Sequence, residues 1–151
     1  MALIAKKIRQ DTNESWASSN AVRQSMTSNR GRDTIPELAV RSAAHRLGLR
    51  FRVNARPISE LRRTADLVFS RQRVAVFVDG CFWHGCPIHY TAPAAHSDYW
   101  ADKLAANTAR DRETDEKLRA AGWTVIRCWE HDEPSAVAAE VERIVRSLRD
   151  P

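Results

Sequence analysis

The sequence predicts a single α/β domain in which a central mixed sheet is flanked by helices. Three observations carry that expectation. The chain has 151 residues, enough for one domain to bury a core without disulfides. Its helix-period and strand-period segments follow one another in the order α-β-β-β-α-β-α. The segment Val74 to Val78 is apolar along its length, as expected of a strand covered on both faces, which places helices on either side of the sheet.

Residues 1–31 are rich in Ser, Asn, Thr, Lys and Arg and lack a sustained apolar period. They read as a mobile basic arm with a short helix around Asn20 to Met26, and the domain proper occupies residues 32–151. The first firm helix opens on Thr34 and Glu37 in a capping-box pattern, with Pro36 in the first turn. Val40, Ala43, Ala44 and Leu47 form its apolar stripe, and Gly48 ends it. Leu49 to Val53, Ala65 to Phe69 and Val74 to Val78 are the next three strands, the last two joined by a turn over Ser70 to Arg73. Residues 79–97 form a loop dense in Cys, His and aromatics. A long helix runs from about Asp98 to Ala121 and stops at Gly122. Trp123 to Trp129 is the fourth strand, and a last amphipathic helix carries Val137, Val141, Ile144, Val145 and Leu148 on one stripe.

With 43% apolar and 28% charged residues, the composition is that of a globular protein rather than a disordered one. No run of about 18 apolar residues is present, and Met1 to Gln10 lacks the long apolar stretch of a secretory signal, so a cytoplasmic location is expected. The net charge of +5 is unevenly spread. Residues 1–63 hold 13 Lys/Arg against 5 Asp/Glu, whereas residues 64–151 hold 11 against 14. A basic front half suits phosphate contacts and an acidic back half suits cations; a merely solvated surface would have the same composition.

Cys81-x4-Cys86-x2-His89 gathers three metal ligands within nine residues, and His131 follows the fourth strand. Zinc favours four tetrahedral N and S ligands, and a closed set is structural. A metal clip would order a loop too long and polar to be held by packing. The alternative is two buried thiols and two surface histidines. Cys128, mid-strand, reads as a small core residue, and His45 and His96 as residues without a role.

On the long helix, Trp100, Leu104, Asn107, Asp111 and Leu118 share one face. Asn107 and Asp111 therefore interrupt an apolar stripe. Polar groups on a buried face need partners, and an active site supplies them; a drift of the stripe toward solvent is the competing explanation.

The run Val76-Phe77-Val78-Asp79-Gly80-Cys81-Phe82-Trp83-His84-Gly85-Cys86-Pro87 resembles the signature of very-short-patch repair (Vsr) endonucleases, whose fold is similar to that of PD-(D/E)xK restriction nucleases. The likeness continues in Tyr99-Trp100, Asn107, Arg110-Asp111-Arg112, Gly122-Trp123-Thr124-Val125 and Trp129-Glu130. Upstream it takes in Arg23-Gln24-Ser25-Met26 and Arg32-Asp33-Thr34, so that it spans residues 23–148.

The resemblance implies a restriction-endonuclease-like domain with a structural zinc site and a catalytic Mg²⁺. Asp66 would be the central metal-binding carboxylate, and His84 the general acid/base. Cys81, Cys86, His89 and His131 would complete the zinc site without His84. Asp111 would stand near the hydrated metal, and Glu37 beside the active centre. The family often has a Thr-His pair where this chain has Val78-Asp79, and PD-(D/E)xK enzymes typically have a lysine nearby. Asp79 is then either an additional metal ligand, alongside the Val78 carbonyl, or a cap for the turn before Gly80.

For DNA, the resemblance implies that Phe82, Trp83 and Trp100 stack on or wedge between bases from the major groove, while Met26 enters from the minor groove. Arg23, Arg30, Arg32, Arg62 and Arg63 would contact phosphates, and Asn107 would lie at the DNA interface. The implied activity is nicking of one strand 5′ of the thymine in a T:G mismatch left by deamination of 5-methylcytosine. A cytosine-5 DNA methyltransferase would be its functional companion, and a monomer would suffice. Two other readings stay open: a Vsr-like nuclease of a restriction or phage-defence system with a different DNA target, and a zinc-braced DNA-binding module without catalysis.

Overall fold

The computed structural model describes residues 33–149. The basic arm expected over residues 1–31, the short helix expected within it, and the site candidates Arg23, Met26, Arg30 and Arg32 lie outside the described residues.

The order of elements is the one the sequence predicts, with one short helix added. Helix α1 (Ile35–Arg46) leads to β1 (Arg52–Ala55), β2 (Ala65–Phe69) and β3 (Val74–Asp79). Helices α2 (Cys81–His84) and α3 (Ser97–Ala120) precede β4 (Thr124–Trp129) and α4 (Pro134–Ser147). The four strands form one sheet in the order β1-β2-β3-β4. The loop over residues 56–64 and the tight turn over residues 70–73 make β1–β2 and β2–β3 antiparallel, and the long crossover through α2 and α3 makes β3–β4 parallel.

Both sheet faces are covered, which explains the unbroken apolar character of β3. One face packs Leu67, Phe69, Val74 and Val76 against Val40 and Ala44 of α1 and Val141 and Val145 of α4. The other packs Val68, Ala75 and Phe77 against Leu61 and Leu118, the latter from the C-terminal part of α3. The predicted capping box is present: Glu37 N–H donates to Thr34 Oγ1 at 3.5 Å, and Thr34 N–H donates to Glu37 Oε2 at 3.3 Å.

The first strand departs from expectation. Gly48, at φ +80°, turns the chain so that Leu49 is fully buried against α1, and pairing with β2 begins only at Arg52. The expected strand over Leu49 to Val53 is therefore shifted toward Ala55, because Leu49 gains more from the core than from an edge ladder.

Within residues 79–97, one helical turn at α2 puts Cys81, Phe82, Trp83 and His84 on successive sides of a tight coil. Gly85 ends it in the left-handed region at φ +67°, with Cys86 N–H returning to the Cys81 carbonyl at 3.0 Å. Leu104 of α3 presses on this turn: a Cβ on Gly85 would lie 2.9 Å from Leu104 Cδ1. Gly85→Ala should therefore destabilise the domain by about 1–3 kcal/mol, combining backbone strain with the clash. A thermal melt should show the midpoint lowered by several degrees, and an unchanged midpoint would show that Leu104 yields freely.

Candidate functional site

The start of β2, the ends of β3 and β4, the start of α1 and the middle of α3 converge on one cleft of about 580 Å³. Antiparallel pairing sets the first residues of β2 beside the last of β3, so Asp66 reaches the Val78 main chain, and its Oδ2 accepts from Val78 N–H at 2.6 Å. Asp66, His84 and Asp111 all line this cleft, as do Glu37, Asp79 and Trp83.

Asp111 enters from α3 and hydrogen-bonds His84 Nδ1. The ligand atoms of Asp79, His84 and Asp111 lie within 4.8 Å of one another, a group that does not include Asp66. Burial works against a charged His84, but the hydrogen bond it donates to Asp111 and the charges of Asp79 and Asp111 outweigh it, so its pKa is raised. With Nδ1 held, Nε2 is the nitrogen left to exchange protons.

Asp66 sits among like charges. Burial pushes its pKa up to about 7; Glu37 and Asp79 add to the rise, and the Val78 hydrogen bond and Arg41 oppose it. Glu37 serves two local roles as well, in the capping box and in an ion pair with Arg41 at 3.5 Å. A cleft with this surplus of buried carboxylate oxygen fits a hard divalent cation, which takes oxygen ligands and would offset the repulsion. Asp66 and the adjoining main chain of Val78 could hold such a cation.

Asp79 does not cap the turn before Gly80, which lacks a side-chain cap. Instead both its oxygens accept from Arg127 Nη1, at 2.9 and 3.1 Å. Arg127 was not singled out from the sequence. A signal was there: in β4, Val125, Arg127 and Trp129 alternate onto one face, and a charge between two apolar neighbours marks a buried pairing.

Cys81, Cys86, His89 and His131 form a second cluster, again within 4.8 Å. The four sulfur–nitrogen distances are 3.1, 3.7, 3.8 and 4.0 Å, and the two Nδ1 atoms lie 3.1 Å apart. A tetrahedral zinc ion would give S–N edges of about 3.6 Å and an N–N edge of about 3.3 Å. The donor set therefore fits zinc. Glu130 Oε1 accepts from Cys81 N–H at 2.9 Å and fixes the loop to the end of β4.

The aromatic residues split. Phe82 and Trp83 are half-buried, edge to face at 5.2 Å. Trp100 is only 6% exposed and lies beneath both, 5.2 Å from Phe82 and 6.0 Å from Trp83. In this structure it supports the pair from below. Asn107, 9% exposed, donates from Nδ2 to the Trp83 carbonyl at 2.8 Å. Arg63 is also engaged, tying itself to the Arg110 carbonyl at 2.8 Å and to Glu113 at 2.9 Å, while Arg62 and Arg110 line the cleft.

The chain is similar to several known proteins. The family profile described as DNA mismatch endonuclease Vsr matches residues 18–89. The type II nicking enzyme V.NaeI of Lentzea aerocolonigenes is 45% identical over 124 residues, 80% of this chain and 75% of that protein. V.XorIIP of Xanthomonas oryzae, also a type II nicking enzyme, is 40% identical over 81% of this chain and 87% of its own length. The DNA mismatch endonuclease Vsr of Escherichia coli is 34% identical over 66% of this chain and 62% of its own.

The Asp66 environment has a direct consequence for stability. A carboxyl raised from 3.8 to about 7 contributes stability that is complete below the lower value and lost as pH rises through the upper one. Asp66→Asn keeps the acceptor for Val78 N–H and removes the titration. Without divalent cations, the variant should gain on the wild type as pH climbs from 4 to 8, by an amount on the order of 4 kcal/mol. Thermal melts across that range check it, and parallel curves for the two proteins would contradict it.

Proposed function

The chain belongs to the Vsr family of DNA mismatch endonucleases, and from that membership we propose that it nicks duplex DNA 5′ of the thymine in a T:G mismatch, using magnesium at Asp66. It is a DNA-nicking endonuclease. The observation that carries the catalytic assignment is the convergence of Asp66, His84 and Asp111, from three separate elements, on one cleft with Trp83 in its wall.

Magnesium held by Asp66, with the Val78 carbonyl beside it, would lower the pKa of a bound water and neutralise charge on the phosphate. The chain's own groups supply the rest. Asp111 orients His84 through Nδ1, and Nε2 takes the proton from the attacking water or returns one to the leaving oxygen. Glu37 and Asp79 add to the negative field that favours a divalent cation. Phe82 and Trp83 wedge into the base step beside the mismatch, at a cost of a few kcal/mol that is least for a weakly stacked mispair. Met26, entering from the minor groove, and Arg23, Arg30 and Arg32, on phosphates, complete the grip in this reading.

Zinc held by Cys81, Cys86, His89 and His131 would brace the loop that carries the aromatic pair. A cytosine-5 DNA methyltransferase is the functional partner, since deamination of its product yields T:G. A second reading is favoured by the names of the relatives just compared: a type II nicking enzyme with another DNA target.

Labelled duplexes carrying T:G, T:A or a methylated matched site, incubated with magnesium, separate these readings. Nicking confined to the T:G strand is expected, and equal cutting of matched DNA would defeat the repair assignment. His84→Ala should slow nicking about a hundredfold or more at unchanged DNA affinity; a wild-type rate would remove His84 from the chemistry. For the second cluster, elemental analysis should find one zinc per chain, lost in Cys86→Ser together with several degrees of thermal stability. Metal-free protein with the wild-type melting point would rule the zinc out.

A further inference from the structure

Arg127 stands on the face of β4 that looks toward α3, opposite Phe77 in the parallel register, with its guanidinium 4.4 Å from the Phe77 ring centre. Its side chain is 21% exposed, and every nitrogen is used. Nε donates to Asp115 at 2.9 Å, Nη1 to Asp79 at 2.9 Å, and Nη2 lies 2.8 Å from Asp115 and 3.4 Å from the Asp111 carbonyl. Nη1 also stands 3.6 Å from the Asp111 carboxylate. One planar fork therefore joins three aspartates from β3 and α3. Two of them, Asp79 and Asp111, flank His84 Nδ1, with Asp79 at 4.0 Å and Asp111 in hydrogen bond.

This geometry decides which carboxylate orients the histidine. Asp79 is a competitor for Nδ1, and it is withheld because both its oxygens already accept from Arg127. Asp111 is free to take Nδ1 because its own position is fixed from behind by the same guanidinium. We propose that Arg127 is a positioning residue for strand nicking, which sequesters Asp79 and seats Asp111 so that His84 presents Nε2 to the cleft. The inference rests on the nuclease reading above and adds a residue to it.

Arg127 touches the reaction only through these aspartates, so its loss affects the nicking step rather than DNA binding. Single-turnover nicking of a T:G duplex at saturating enzyme should fall at least tenfold in Arg127→Met, with the Kd for the same duplex in calcium changed less than threefold. Adding Asp79→Asn removes the competitor, so the double variant should recover at least half of the loss on a logarithmic scale. A merely structural role for Arg127 predicts no such recovery.

A second readout does not depend on turnover. In the absence of magnesium, the wild-type protein should show a low-field proton signal from His84 Nδ1–H, assigned by its loss in His84→Ala and absent in Arg127→Met. Should Arg127→Met not fold, Arg127→Lys serves instead. Its ammonium cannot hold three carboxylates in one plane, so it too should nick several-fold slower at unchanged Kd.

A wild-type nicking rate in either variant, a loss confined to Kd, or a double variant no faster than Arg127→Met would each overturn the proposal. Wild-type protein and Asp66→Asn are run alongside. Failure of the wild type to nick any duplex would count against the nuclease reading, whereas nicking by wild type and Arg127 variants alike would count against Arg127 alone.

Discussion

Carboxylates gathered at one end of a buried sheet repel one another, and the rest of the site is arranged around that repulsion. Asp66, Asp79, Asp111 and Glu37 face a single cleft, and burial makes each ionised oxygen costly unless a positive group or a donor meets it. The chain meets three of the four with its own groups: Arg127 for Asp79, His84 for Asp111, and Arg41 with the Thr34 main chain for Glu37. Among the described residues, Asp66 accepts one hydrogen bond, from Val78 N–H, and with the more distant charge of Arg41 this leaves its pKa at about 7. The incompletely compensated carboxylate is therefore the one the family resemblance assigns to the catalytic cation. Charge bookkeeping and chemistry point to the same residue.

The second cluster serves the first mechanically. Cys81 follows Asp79 by two residues, and His84 lies between Cys81 and Cys86, so whatever fixes the thiols also fixes the imidazole. Glu130 fastens the same turn to β4, and Leu104 packs onto Gly85 from α3. Trp100 supports Phe82 and Trp83 from below, and Asn107 holds the Trp83 carbonyl. Rigid seating suits the wedging role proposed for these rings, because a wedge that gives way does no work on the duplex.

Much of this was legible in the residues alone. The periodicities of α1, β2, β3, α3 and β4 placed each element correctly to within a residue or two, the apolar stripe located α4, and the capping box at Thr34 and Glu37 was readable from their spacing. The Cys-x4-Cys-x2-His run and the polar interruption of the α3 stripe at Asn107 and Asp111 led to both clusters. What was not legible is pairwise. Pattern shows that Trp100 and Asn107 face inward, but not that one lies under other rings and the other binds a carbonyl. Arg127, 48 residues from Asp79, becomes informative only once parallel pairing of β3 and β4 brings the two together. The shift of β1 came from a local competition, in which burying Leu49 outweighed extending an edge strand.

If Asp66 holds the proposed divalent cation, magnesium binding depends on its carboxylate. Calorimetric titration of magnesium into the zinc-replete protein at pH 8, compared with the same titration of Asp66→Asn, tests it most directly. One magnesium should bind the wild type and none the variant, and the wild-type affinity should fall as the buffer is brought to pH 5.5 and protons compete. Equal binding by both proteins would contradict the account.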